Sequence, residues 1–209
     1  MIQRASRKPG VLPNTFKAKM RMPLVGVIDL PPSWSKIVGT AICGGENNLY
    51  GDCVTTMAYN AVINAAAHAG KQISFPDVDA FQLYEKLGGM PADIGLDPAT
   101  LWNCWLENDI GGYRLKSIEE IDLSDSNGMK SAIIDLGFFC CTAKLTQAQM
   151  TQTAWSSIDS TYIGEHAFCP TWYEGPYLYD DTWGEEIPMA WDFMLKQGVN
   201  AWRVELSEI

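Results

Sequence analysis

The stretch Asn47–Gly70, NNLYGDCVTTMAYNAVINAAAHAG, constrains the chain more than any other. A tight polar turn runs into a pattern in which Val54, Met57, Ala58, Ala61, Val62, Ala65 and Ala66 recur at three- and four-residue spacing. That spacing predicts a long helix over Asp52–His68, with Gly70 as its C-cap. Cys53 stands at its head. The fold must therefore accommodate one long helix whose N-terminus carries a thiol.

Two further helices are expected in the first half. PDVDAFQLYEKLGG is to be capped by Asp77 and stopped by Gly88. LDPATLWNCWLENDIGG starts with Asp97 before Pro98, the favoured N-cap and first-turn pairing. The second half changes character. NGMKSAIIDLG reads as a short helix and FFCCTAKL as a strand. HAFCPTWYEG and PYLYDDTWG read as strands around a Gly-Pro turn, IPMAWDFMLKQG as a helix and NAWRVEL as a last strand. Helices first and antiparallel strands later define an α+β fold, with a cleft where the halves meet. Residues 1–29, interrupted by Pro9, Pro13 and Pro23, read as an irregular arm, with PLVGVIDL as a short strand or extended segment. Residues 30–209 form the single domain.

Its 47% hydrophobic residues place the chain among globular rather than disordered proteins. It holds no apolar run long enough for a membrane span and no apolar block of a secretory signal, so synthesis in a cytoplasm is expected. Six of the 15 basic residues, Arg4, Arg7, Lys8, Lys17, Lys19 and Arg21, fall in the first 21 positions without an acid among them. The rest carries nine basic against 25 acidic residues. A basic arm on an acidic body points to a neighbouring acidic subunit as its partner, with nucleic acid as the lesser alternative and a solvated tail as the plain one.

The six cysteines, at 43, 53, 104, 140, 141 and 169, form no CxxC pair, so most are expected to be reduced and inert. No cofactor or metal is expected. DLSDSNG resembles a calcium loop, but its twelfth position would be Ile134 in place of the bidentate acid. His166 and Cys169 are three apart without a second ligand pair.

A thiolate is stabilised at a helix N-terminus, which suits Cys53 as a nucleophile in need of a base. The chain has two histidines. His68 lies about 22 Å along the same helix, too far for proton transfer. That leaves His166, in GEHAF. Fifteen residues later DDTWG returns on the expected hairpin, so the Asp181 carboxylate could take the second imidazole N–H. Asn47 and Asn48 are candidate oxyanion donors.

These residues resemble the papain-like cysteine peptidase superfamily. LPPSW (Leu30–Trp34) is similar to the start of its mature domain, NNLYGDC to its glutamine-to-cysteine segment, GEHA to the segment of its base and DTWG to its Asn-Ser-Trp-Gly. YGDC and TWG are more similar still to papain-fold proteins encoded by tailed phages. The resemblance implies a central helix headed by the cysteine, packed on an antiparallel sheet from the second half. It implies Cys53 as nucleophile, His166 as base, Asp181 as orienting residue and Asn47 as oxyanion donor, with Trp183 shielding the His–Asp bond. The implied activity is thiol hydrolysis of amide bonds in a peptide or peptidoglycan cross-bridge. The alternative is a catalytically silent virion structural protein, capsid or tail, that docks on neighbouring subunits through residues 1–28. Asp52 departs from the family pattern. Its charge would raise the thiol pKa, unless it serves only as the helix N-cap.

Overall fold

The structure, a computed structural model, describes residue 11, the main chain of 19–20, and residues 30–37, 40–47, 49–156 and 161–209. The expected segment PLVGVIDL and Asn48 lie outside the described residues, apart from Leu30.

Alternation in one strand organises the interior. Phe138 and Cys140 enter one core cluster, Phe139 and Cys141 the other, as the period-two geometry of a strand requires. The sheet thus buries both faces. The elements in chain order are β1 (Lys19–Met20), β2 (Ser33–Trp34), α1 (Cys53–His68), α2 (Asp77–Lys86), α3 (Pro98–Glu107), β3 (Asp109–Ile110) and β4 (Tyr113–Glu120). They continue with α4 (Ser126–Leu136), β5 (Cys140–Thr146), β6 (Tyr162–Glu174), β7 (Tyr177–Thr182), β8 (Glu185–Ala190), α5 (Trp191–Gln197) and β9 (Gly198–Glu208). The strand order is β1-β4-β9-β5-β6-β7-β8, with β2 on β6 and β3 on β4. Every pairing is antiparallel except β1 with β4.

Helix α1 packs against β6, where Cys53, Val54, Met57 and Ala61 share a core with Ala167, Cys169 and the tryptophans Trp102, Trp105 and Trp202. The opposite face is filled by Trp155, Phe168, Met189, Phe193 and Met194. The expected α+β fold is present, with the cysteine-headed helix on an antiparallel sheet supplied largely by the second half.

Three local expectations change. Residues Ile187–Ala190 belong to β8 rather than to a helix, and α5 begins only at Trp191. Because β8 ends the sheet, Pro188 leaves no interior ladder bond unmade. An unexpected strand, β4, stands between α3 and α4 and pairs with β9 along its length. Asp77 does not cap α2. Pro76 holds the N-cap position, and the Asp77 carboxylate instead accepts the N–H groups of Gly44 and Gly45 at 2.8 and 3.1 Å.

Asp97 caps α3 by accepting from Ala99 N, and Asp125 caps α4 by accepting from Gly128 N. Residues 11, 19 and 20 contact the rest of the chain. Lys19 and Met20 pair with Glu119 and Glu120 of β4, and Val11 bridges Glu165 and Leu96.

Candidate active site

Cys53 is the first residue of α1 and is buried. The turn before it is held from several sides. Asp77 gathers Gly44 and Gly45, and Asn60 of α1 exchanges hydrogen bonds with the Cys43 main chain, donating at 3.0 Å and accepting at 2.8 Å. A Cβ at Gly44 would come within 3.1 Å of Gly184 N, so the turn and the segment after β7 need glycine to meet.

Asp52 occupies the N-cap position without a side-chain capping bond. Its Oδ2 turns back to accept the Glu46 N–H at 2.9 Å, while Oδ1 is buried without a hydrogen-bond partner. Burial pushes this carboxyl up to about 7. Near neutrality a large share of it is therefore uncharged, which reduces the repulsion expected beside a Cys53 thiolate. Asn47 is also buried, and its Nδ2 donates to Gly44 O at 2.8 Å, tying the amide back into its own turn.

His166 lies in β6 opposite Ala143 and is fully buried. Its ring stacks on Trp183 at 4.2 Å and 22°, with Phe168 and Trp155 around it. Its Nε2 lies 2.5 Å from Thr182 Oγ1.

The expected hydrogen bond between Asp181 and the imidazole is not made. Asp181 Oδ1 receives Lys36 Nζ at 2.6 Å, and Oδ2 receives Asn64 Nδ2 at 3.2 Å. The reason is strand phase. Asp181 pairs with Cys169, whose thiol donates to Met57 O of α1, so both side chains face that helix. Thr182, one residue on, points the other way and meets the edge of the His166 ring. Burial holds the Asp181 carboxyl above the usual range, with Lys36 opposing that shift. Asp180 is fully buried, and burial pushes its carboxyl well up, with the neighbouring Asp181 adding to the shift.

Sequence reasoning missed Thr182, Lys36 and the α1 asparagines. The last had a signal. Thr56, Asn60 and Asn64 recur every four residues in a mostly apolar helix, a polar stripe on one face. That stripe meets the Cys43 loop and β7. His68, at the far end, lines a pocket with Lys36, Asn64 and Thr171.

Val11 lies between the two halves. Its N–H donates to Glu165 O at 3.2 Å, one residue before His166, and its side chain packs against the core that contains Cys53 and Leu96. Among the described residues no group of three or more His, Cys, Asp or Glu side chains could hold a metal ion. No helix among them is long and apolar enough to cross a membrane.

Comparison with solved structures shows that the α+β fold is papain-like. Xylellain, a cysteine protease from Xylella fastidiosa, aligns over 98% of each chain with a TM-score of 0.75 at 13% identity. Procathepsin B S9 from Trypanosoma congolense aligns over 98% of this chain and 87% of its own, with a TM-score of 0.68 at 10% identity. Digestive procathepsin L 3 of Tenebrio molitor larval midgut aligns over 96% and 76%, with a TM-score of 0.65 at 14% identity. No protein-family model matches the chain, and no curated protein is similar by sequence. The resemblance to phage-encoded proteins gains no support from these comparisons.

Proposed function

We propose that the protein is a thiol hydrolase that cleaves amide bonds in peptides. The observation that carries this reading is the local environment of two residues. Cys53 heads α1 within the papain-like fold, and His166 is held at its edge by Thr182 and across its face by Trp183.

In this reading His166 takes the Cys53 proton and the thiolate attacks the substrate carbonyl carbon. The oxyanion is met by main-chain N–H groups at the head of α1 and by the second Nδ2–H of Asn47, the first being donated to Gly44 O. Collapse of the tetrahedral intermediate breaks the C–N bond, and the imidazolium returns the proton to the leaving amine. Water, deprotonated by His166, then cleaves the thioester and restores the thiol. Asp181 joins the site indirectly, binding β7 to α1 through Asn64. The similarity to xylellain, a cysteine protease, supports a protein or peptide substrate.

The experiment is hydrolysis of a quenched fluorescent peptide library by the full chain and by Cys53→Ala and His166→Ala. Cleavage by the wild type that both variants lose supports the reading. Equal cleavage by Cys53→Ala would sink it.

A further inference from the structure

The hydroxyl beside His166 has a more specific task than filling space. Both partners are buried, so water does not compete for the 2.5 Å contact between Thr182 Oγ1 and His166 Nε2. The β-branched threonine has few χ1 rotamers, which fixes the hydroxyl as well as the ring edge it meets. Trp183 covers the ring face. The Thr182–Trp183 pair thus constrains the imidazole in two directions, while both carboxylate oxygens of Asp181 are taken by Lys36 and Asn64.

We propose that Thr182 is the positioning residue of His166: its oxygen accepts the Nε2–H and so assigns the basic lone pair to Nδ1. This inference rests on the reading of Cys53 and His166 as the reacting pair. The direction of the bond follows from the proton cycle. An Nε2–H donor keeps its bond to Thr182 whether the ring is neutral or protonated, so the ring need not move as a proton arrives at Nδ1 and departs. The opposite tautomer would accept from the hydroxyl, and its protonation at Nε2 would require the hydroxyl to turn over and reverse the bond. A neutral hydroxyl also orients the ring without adding charge where burial already disfavours the Asp180 and Asp181 carboxylates.

Imidazole nitrogen NMR of the full chain tests the assignment, and the count of two histidines makes it tractable, since His68→Gln identifies the His166 signals. The wild type is expected to carry its neutral proton on Nε2. Thr182→Val keeps the shape and removes the acceptor, and should move the tautomer ratio by about fivefold, the worth of one neutral hydrogen bond. Thr182→Ser should hold the wild-type ratio, and Asp181→Asn should leave it unchanged. A wild-type Nδ1–H tautomer, an unchanged ratio in Thr182→Val, or an equal shift in Asp181→Asn would overturn the proposal. The readout needs neither substrate nor reactive thiol, so failure of thiol chemistry at Cys53 is a separate result.

Discussion

Lys36 Nζ stands 2.6 Å from Asp181 Oδ1, an ion pair whose acid is fully buried and whose base is partly exposed. The pair fastens the segment after β2 to β7, and Asn64 fastens the same carboxylate to α1. Removing the lysine leaves a buried carboxylate that keeps only the Asn64 amide. Lys36→Met should therefore destabilise the fold by about 3 kcal/mol. The double variant Lys36→Met/Asp181→Asn should recover most of that, because Asn64 can still donate to an amide oxygen. Urea denaturation of the three proteins checks this. A double variant no more stable than Lys36→Met would contradict it.

Asp52 makes stability depend on pH in a definite direction. Its carboxyl sits at about 7 in the folded chain against 3.8 in the unfolded one, because burial favours the neutral form. Between those values the folded state holds a proton that the unfolded state has released. The contribution is full below about pH 4 and is lost as pH rises toward 7, with a span on the order of 4 kcal/mol. Buried Asp180 and Asp181 act with the same sign. The melting temperature should thus fall from pH 4.5 to 7.5, and Asp52→Asn should flatten part of that slope. A parallel slope in the variant would remove Asp52 from the account.

Val11 bridges two distant segments of the chain, pairing with Glu165 and Leu96. Cys53 and His166 have no solvent exposure in this arrangement. Deleting residues 1–28 removes that bridge, so Cys53 should be alkylated faster in the shortened chain, with the other buried cysteines unchanged. An unaltered Cys53 rate, in a chain that still melts cooperatively, would mean that the bridge does not shield the site.

Much of this arrangement was legible in the sequence because its signals are local. The apolar spacing of α1, the Asp97-Pro98 start of α3 and the Gly-Pro turn between β6 and β7 each depend on a few neighbouring residues. The pairing of Asp181 with His166 was not legible. It depends on strand phase, and phase is fixed by the register of Cys169 against Asp181 and by the contact of that face with α1. One step along β7 exchanges carboxylate for hydroxyl beside the imidazole. Strand β4 escaped notice for a related reason. Tyr113 and Leu115 alternate inward, but the charged residues of YRLKSIEE mask the pattern until β9 supplies its partner. In IPMAWDF the apolar run fits either period, and pairing with β7 decides for strand up to Ala190.

The central claim, that Cys53 and His166 act as a pair, is tested most directly by the pH profile of cysteine alkylation. Iodoacetamide labelling of the full chain from pH 4 to 9, resolved by cysteine with mass spectrometry, gives the midpoint for Cys53 whatever the absolute rate. The account predicts a Cys53 midpoint well below the ordinary thiol value of about 8.5, lost in His166→Ala. A Cys53 profile like that of the other buried thiols, unchanged in His166→Ala, would contradict it.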